Sequence, residues 1–250
     1  MKAIAVCSGG LDSTVMLYSM IRSGIEPVVL SFDYGQRHKI ELAYAEVTAK
    51  NLGLEFILTT FPHIGGDALS GAKEVPKTSY DDDSQRVMVS PNRNMIMLAI
   101  AGGYAVREGC SEVWYAAHGG DHAIYPDCRP PFVKSIDQTL QEATYEHVRI
   151  IAPFIKLTKA QIVTLGNEHS VPFSDTWSCY DPVRRTDGGS MWYVHCGQCG
   201  TCRERIEAFE LSGIADPTSY HEKFSSLLSK DTTTTTTITN PQPSSEGGNN

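Results

Sequence analysis

The alternation of short apolar runs with longer helix-forming segments constrains the fold of this chain more than any other feature. Five β-rich runs occur in order: AIAVC, PVVLSF, EFILTT, EVWYAA and RIIAPF. Segments with helical spacing or composition fall between or after them, at 12–23, 38–52, 91–108 and 158–169. Such alternation is typical of a parallel sheet with crossover helices on both faces. We therefore predict a doubly wound α/β domain, with ligands at the carboxyl ends of its strands.

Composition divides the chain into three parts. Residues 1–170 are assigned to the α/β domain, 171–228 to a smaller C-terminal region, and 229–250 to a tail. The tail, SKDTTTTTTITNPQPSSEGGNN, is polar and of low complexity. It is predicted to be disordered, because it cannot bury enough apolar surface to offset its ordering entropy. Residues 62–90, rich in Gly, Ser and Asp, are predicted to form a long loop or lid.

Charge and hydropathy limit the classes of partner. The 250 residues are 41% hydrophobic, with a formal net charge of −8 and a pI near 5.5. An acidic chain lacks the basic face that broad nucleic-acid binding needs, so we expect a small-molecule partner and no direct nucleic-acid contact. No run approaches the roughly 20 apolar residues that span a bilayer, and the N-terminus has no apolar signal segment. We expect a soluble cytoplasmic protein that makes no membrane contact.

The motif SGGLDS, directly after the first predicted strand, indicates a phosphate-binding loop. Gly9 and Gly10 allow close backbone approach, the following helix offers N–H groups to an anion, and Ser8 and Ser13 add hydroxyl donors. The pattern G-x-x-x-x-G-K-[ST] is absent, so the lysine of a Walker loop is missing. Asp12 would repel a polyphosphate unless it helps to hold Mg²⁺. The alternative is that these residues only cap the helix.

Four cysteines near the C-terminus have the spacing of a metal site. CGQCGTC places Cys196, Cys199 and Cys202 at C-x2-C-x2-C spacing, and Cys179 in TWSCY is the fourth ligand. Four sulfurs suit a tetrahedral structural Zn²⁺. An iron–sulfur cluster is the alternative, but bacterial ferredoxins place a cysteine where this chain has Ile206. The remaining cysteines are assigned to structural positions: Cys7, Cys110 and Cys128.

The segment SPNRNMIMLAIAGGYAV places polar residues at the start of an apolar helix. We expect this polar end to face a ligand, with Arg93 in contact with phosphate. The alternative is that Asn92 and Asn94 cap the helix while Arg93 pairs with a surface acid.

The segment AAHGGDHAIYPDCRPPF concentrates chemistry-bearing residues after the fourth predicted strand. Its position at a strand's carboxyl end favours a site containing His118, Asp121 and His122. Two histidines alone indicate a second metal only weakly, so none is assigned. Lys159 opens a later helix, where an exposed charge is the usual role and a phosphate contact is the alternative.

The loop from Ser8 to Ser13 resembles that of the ATP pyrophosphatase superfamily, whose members cleave ATP between the α and β phosphates. The resemblance implies AMP and pyrophosphate as products, and an adenylated rather than a phosphorylated substrate.

Further motifs narrow the resemblance to one family. The set SGGLDS, SFDYGQRH, PNRNMIML, GGDHAIYPDCRP, APFIKLTKAQIV, TWSCY and CGQCGTCRERIEAF is similar, in order and across about residues 1–215, to the 7-cyano-7-deazaguanine synthases. The resemblance implies a homodimeric ATP-dependent ligase with an adenine-nucleotide alpha-hydrolase-like fold and a small zinc-binding helical region. Such an enzyme converts 7-carboxy-7-deazaguanine and ammonia to 7-cyano-7-deazaguanine in queuosine-type nucleoside biosynthesis.

The resemblance also implies the zinc and nucleotide sites and the cofactors ATP and Zn²⁺, while Mg²⁺ is inferred from Asp12 and the catalytic candidates from the motifs described above. The zinc ligands are Cys179, Cys196, Cys199 and Cys202. The nucleotide-binding residues are Ser8, Gly9, Gly10, Leu11, Asp12, Ser13, Thr14, Val15, Met16, Leu17 and Tyr18. The candidate catalytic residues are Asp12, Ser13, Arg93, Asp121 and His122.

Two features depart from the family pattern, and two other functions compete with the synthase. The segment between Cys179 and Cys196 is longer than expected, and the Thr-rich tail has no counterpart. A tRNA sulfur-transfer enzyme would share the SGGLDS loop but would need RNA contacts, which the acidic chain disfavours. A non-catalytic nucleotide-binding module would not need the intact set of Ser8, Asp12 and Ser13.

Overall fold

A computed structural model describes residues 1–62, 73–75, 89–123 and 125–221, with only the backbone for residues 122 and 123. Nearly all of the predicted loop at 62–90 and the whole of the predicted tail at 229–250 lie outside these ranges. The proposed division of the chain at residues 170 and 228 stays a prediction.

The predicted doubly wound parallel sheet is confirmed. Five parallel strands form it in the order β3-β2-β1-β4-β5. Their bounds are β1 Lys2–Val6, β2 Glu26–Asp33, β3 Phe56–Thr60, β4 Glu112–Trp114 and β5 Arg149–Ile151. The last two strands are shorter than their apolar runs, because β4 leaves the ladder after Trp114 and the following residues turn into a loop.

Helices cover both faces of the sheet. Their bounds are α1 Leu11–Arg22, α2 Ile40–Asn51, α3 Arg93–Arg107, α4 Pro130–Ala143, α5 Lys159–Glu168 and α6 Gly200–Ser212. Side chains of β1 alternate between two cores: Ala3 and Ala5 pack with α1, α2, α5 and α6, while Ile4 packs with α3 and α4. The predicted helices omit α4, whose Pro130 and Pro131 fit a first helical turn. In the described parts of the chain, no helix has the length and apolar character needed to cross a membrane.

An antiparallel hairpin lies between Cys179 and Cys196, where the sequence analysis predicts no element. It consists of β6 Val183–Asp187 and β7 Ser190–Val194. Gly188 and Gly189 have φ values of 53° and 88°, the positive values that a tight hairpin turn requires. The additional length of this segment therefore forms a regular two-stranded ribbon.

The strand order places a topological switch point between β1 and β4. The chain proceeds from β1 outward to β2 and β3, then returns to the other side of β1 as β4. Loops leaving the carboxyl ends of these two strands diverge, which opens a crevice of the kind that binds ligands in doubly wound sheets. The SGGLDS loop follows β1 directly.

Candidate functional site

A cavity of about 240 Å³ lies at the switch point, where the sequence analysis predicts the site. Its walls come from the loops after β1, β2 and β4 and from the first turns of α3, α5 and α6. One end is lined by acids and bases beside the SGGLDS loop, and the other is lined by tyrosines. The two ends offer different chemistry to a ligand.

Hydrogen bonds between its own members hold the SGGLDS loop. The backbone N–H of Ser8 donates to Ser13 Oγ at 3.3 Å, and Ser13 Oγ donates to the Gly10 carbonyl at 3.2 Å. The Gly10 N–H donates to Ser8 Oγ at 3.2 Å. The first N–H groups of α1 have no intrahelical partners, so the loop presents a helix N-terminus suited to an anion.

Gly9 fixes where this loop sits. Its φ is +83°, and an added Cβ would collide with the Glu41 carbonyl oxygen and lie 2.7 Å from the Ala45 nitrogen, both in α2. On its other side, the Gly9 carbonyl accepts the Trp177 N–H at 2.9 Å. Only glycine fits here, and it seats the loop between α2 and the segment that leads to Cys179.

The predicted nucleotide-binding stretch extends too far along α1. Thr14, Val15, Met16 and Leu17 are all 0% exposed, and the last three pack in the hydrophobic core. Their side chains do not line the cavity, whereas Ser8 and Asp12 do. Side-chain contact with a ligand is therefore supported for the loop and the first turn of α1, and not for these later residues.

Five side chains form a charged cluster beside the loop: Asp12, His118, Asp121, Lys159 and Glu204. Lys159 Nζ lies 3.3 Å from Asp12 Oδ2 and 2.7 Å from Glu204 Oε2. His118 Nε2 lies 3.6 Å from Asp121 Oδ2 and 3.9 Å from a carboxylate oxygen of Asp12 and of Glu204. The cluster joins residues from α1, α5, α6 and the loop after β4.

Mutual interactions set the ionisation of the cluster. Burial opposes the charge on Lys159, but Asp12 and Glu204 raise its pKa above the ordinary value. Burial likewise opposes the charge on Asp12, but Lys159 holds the pKa of that carboxyl below its usual range. For Asp121, burial raises the pKa. Lys159 and Asp12 are therefore charged at neutral pH, while Asp121 is the better proton acceptor.

Asp12 does not cap α1. The cap position is Gly10, with no side-chain hydrogen bond to the helix end, and Asp12 Oδ1 is buried without a hydrogen-bond partner. A carboxylate oxygen left unpaired in a charged cavity fits a hard cation such as Mg²⁺, which prefers oxygen ligands. The capping alternative therefore does not account for Asp12.

The structure fixes the tautomer of His118. Its Nδ1 accepts the Gly120 N–H at 3.1 Å, so the neutral ring carries its proton on Nε2, which faces the three carboxylates. With Nδ1 occupied and Nε2 protonated, the neutral ring has no free lone pair for a reacting proton. His118 therefore orients the acids and is not a general base. The side chain of His122 lies outside the described part of the chain, so its catalytic role stays a prediction.

Two members of the charged cluster were not predicted. Lys159, for which an exposed charge was the usual role and a phosphate contact the alternative, is only 13% exposed and faces the cavity, because the capping box of Thr158 and Gln161 begins α5 beside the loop. Glu204 follows the last cysteine motif and is 45 positions from Lys159 in sequence. Only the packing of α6 on α5 brings these two together, and no local pattern indicates it.

The opposite end of the cavity is an aromatic compartment formed by Tyr34, Tyr115, Tyr125 and Tyr180. Arg93 lies in its wall and donates through Nη1 to the Tyr34 hydroxyl at 3.2 Å. Burial raises the pKa of Tyr125 to about 12, so its hydroxyl remains neutral. This compartment is suited to a planar ring.

The alternative roles considered for the start of α3 are wrong. Asp127 Oδ2 accepts the backbone N–H of Asn94 at 2.9 Å, while Asn92 at the cap position makes no side-chain cap bond. Asn94 instead donates through Nδ2 to Cys128 Sγ at 3.2 Å. Arg93 faces the cavity and makes no surface ion pair among the described residues.

The four predicted metal ligands form one buried centre: Cys179, Cys196, Cys199 and Cys202. Their sulfur atoms all lie within 4.8 Å of one another. Tetrahedral bonds of about 2.3 Å to zinc would place sulfurs about 3.8 Å apart, and one pair is already at 4.0 Å. Backbone N–H groups also donate to two of the sulfurs, a common way of stabilising thiolates. The centre could hold a metal ion such as zinc.

The cysteine centre is joined to the cavity by α6. Cys199 caps this helix, Cys202 lies in its first turn, and Glu204 reaches the charged cluster. Arg205, the next residue, is fully buried. It donates to the Phe173 carbonyl at 2.9 Å and to other groups in the segment before Cys179.

The fold and the site define an α/β protein with a helix N-terminus suited to an anion at its switch point and a separate four-cysteine centre. Within that class, the chain belongs to the family described as Queuosine biosynthesis protein QueC, whose model matches residues 2–213.

Relatives of known name share most of the chain. The 7-cyano-7-deazaguanine synthase of Paracoccus denitrificans is 47% identical over 229 residues, which cover 89% of this chain and 94% of that protein. The 7-cyano-7-deazaguanine synthase 1 of Mesorhizobium japonicum is 45% identical with the same coverage.

Solved structures are more distant. A predicted subunit of tRNA methyltransferase from Methanocaldococcus jannaschii has a TM-score of 0.45 at 16% identity, covering 88% of this chain and 92% of that one. The NMN synthetase of Francisella tularensis has a TM-score of 0.42 at 14% identity, covering 96% and 88%. Likeness at this level carries no argument about function.

Proposed function

We propose that this protein is a 7-cyano-7-deazaguanine synthase, an ATP-dependent ligase that converts 7-carboxy-7-deazaguanine and ammonia to the nitrile. The observation that carries the proposal is the identity of 45% or more to relatives of that name across 94% of their length. The cavity supports it, because an anion-binding loop and an aromatic compartment meet there.

The SGGLDS loop would hold the pyrophosphate that leaves from the α-phosphorus. Its helix N-terminus and the hydroxyl of Ser8 supply the donors, and Lys159 supplies a cation that the loop itself lacks. Ser13, whose hydroxyl donates to the Gly10 carbonyl, would hold the shape of the loop. Asp12, with its unpaired buried oxygen, would hold Mg²⁺. That ion, when bound, neutralises charge on the phosphates.

Each oxygen of the carboxylate would leave after one adenylation. A carboxylate oxygen attacks the α-phosphorus and releases pyrophosphate; ammonia then attacks the carbonyl carbon, loses a proton, and AMP leaves with the first oxygen to give the amide. In a second round, the amide oxygen attacks the α-phosphorus of another ATP and releases pyrophosphate, and the adenylated amide then loses its two N–H protons and AMP to give the nitrile. Asp121, whose pKa is raised by burial, is the acid–base group that we assign to these protons.

The products of the nucleotide test this scheme. With ATP labelled at the α-phosphate, all label released during turnover should appear as AMP, and a quenched time course should show the amide before the nitrile. Labelled ADP would contradict the role given to the SGGLDS loop. A time course in which nitrile forms with no amide would contradict the two rounds of adenylation.

We propose zinc as the metal of the cysteine centre, and elemental analysis should find a single zinc ion per chain. Four thiolates around this ion form a closed site whose binding energy contributes to folding. Cys199→Ser should lower both zinc content and solubility. Cys110→Ser, at a buried cysteine outside the centre, is the control and should retain the metal. Iron with acid-labile sulfide in place of zinc would contradict the assignment.

The competing functions are separated by direct measurement. A tRNA sulfur-transfer enzyme would bind tRNA at low salt and transfer sulfur, and a nucleotide-binding module would bind ATP without turnover. Family membership and the names of the relatives favour the synthase over both. The homodimer and the cytoplasmic location stay predictions, the first testable by sedimentation velocity.

A further inference from the structure

Arg93 is a cation on the cavity wall that forms no ion pair with a described carboxylate. Its guanidinium donates to the Tyr34 hydroxyl at 3.2 Å and lies 5.7 Å from the centre of that ring. Asp127 acts on the charge of Arg93 without an ion-pair contact, and its carboxylate accepts the Asn94 N–H instead.

The other cation that lines the cavity, Lys159, is already paired with carboxylates. Lys159 contacts both Asp12 and Glu204, at 3.3 and 2.7 Å. The charged cluster therefore holds more carboxylates than cations. In the aromatic compartment, Glu41 contacts His38 Nε2 at 3.4 Å, and Arg93 forms no ion pair within the described residues. A guanidinium held among aromatic rings without a counter-ion is costly, so the site favours an anionic ligand at that end.

A second observation shows that a polar ligand belongs in the same compartment. Tyr115 is 5% exposed, lines the cavity, and its hydroxyl has no hydrogen-bond partner among the described residues. Buried hydroxyls normally have a partner, because an unpaired one loses its hydrogen bonds to water. A ring with polar edges would provide that partner, and its apolar surfaces would contact the aromatic side chains that line the compartment.

We propose that Arg93 binds the carboxylate of the substrate and makes the first half-reaction selective for the acid. The inference rests on the proposed function, in which the acid and then the neutral amide occupy the same place. The planar fork of arginine matches a carboxylate with two parallel hydrogen bonds. The amide keeps the ring contacts but has no negative charge, so it gains far less from Arg93.

Separate kinetics on the two substrates test the proposal. Arg93→Gln should raise KM for the acid by about ten- to a hundredfold, the range expected for loss of a charged hydrogen-bonded pair. It should change KM for the amide by no more than about threefold. Arg93→Lys keeps the positive charge but not the planar pair of N–H donors. Its KM for the acid should therefore lie between those of the wild type and Arg93→Gln. If Arg93→Gln does not fold, Arg93→Lys is used to compare the change in KM for the acid with the change in KM for the amide.

A matched control comes from the same compartment. Tyr115→Phe removes a contact to the ring that acid and amide share, so it should raise both KM values by similar factors. Equal effects of Arg93→Gln on acid and amide would overturn the proposal, as would a main effect on KM for ATP, which would place phosphate at Arg93. A wild-type protein that converts neither acid nor amide would overturn the proposed function itself.

Discussion

Asp12→Asn is expected to abolish turnover while leaving the fold intact. The change keeps the size of the side chain but removes the charge that we assign to Mg²⁺. Loss of several kcal/mol of transition-state stabilisation corresponds to a fall in kcat of about a thousandfold or more. Lys159 keeps its 2.7 Å contact with Glu204, so thermal denaturation should change little.

Asp33→Asn is the matched control for this prediction. Asp33 is the last residue of the parallel strand β2 and pairs with a lysine, Lys39, at 2.8 Å, but it does not line the cavity. The control should retain nearly full kcat and the magnesium dependence of the wild type. Normal turnover of Asp12→Asn with unchanged magnesium dependence would show that Asp12 does not serve the metal.

Arg205→Ala is expected to unfold much of the protein. The guanidinium is 0% exposed and bonds to the Phe173 carbonyl, the Thr176 hydroxyl at 2.7 Å, and Asp216 Oδ1 at 3.3 Å. Removing one partner of a buried ion pair costs roughly 3–5 kcal/mol, a large share of the roughly 5–15 kcal/mol by which domains are stable. Urea denaturation followed by tryptophan fluorescence measures the loss.

Arg203→Ala, on the same helix, is the control, because it removes the same charge from an exposed position and not from a buried one. Arg203 is exposed and donates to the Gln198 carbonyl at 3.2 Å. Its removal should change the free energy of unfolding by less than about 1 kcal/mol. Equal losses for the two variants would mean that the buried contacts of Arg205 contribute nothing particular to stability.

Local patterns predicted the fold and the contiguous parts of the site. The strands are short apolar runs, and the phosphate loop lies at a single strand–helix junction, so neighbouring residues carry both signals. The same reliance on neighbouring residues made the predicted nucleotide-binding stretch extend too far along α1. A helix turns by about 100° per residue, so a continuous stretch must include residues such as Val15 that face the core.

The parts of the site that could not be predicted depend on contacts between residues that are far apart in the sequence. Lys159 and Glu204 meet only because α5 and α6 pack together, and the sequence does not mark either as a partner of the other. The missed hairpin is a different case, because DGG flanked by residues with high strand propensity, such as Trp192, was an available turn signal. The hairpin lies between two of the predicted metal ligands, Cys179 and Cys196.

The dual role of α6 has a consequence for the living cell. The same helix begins at the cysteine centre and carries Glu204 into the cavity wall, so binding of the proposed metal would also control assembly of the site. A chain made during metal starvation would lack a properly placed wall, and extra ATP or ammonia would not restore it. The amount of product would then follow the number of chains that hold the metal. Synthesis of the nitrile would depend on the supply of a metal that takes no part in the proposed reaction.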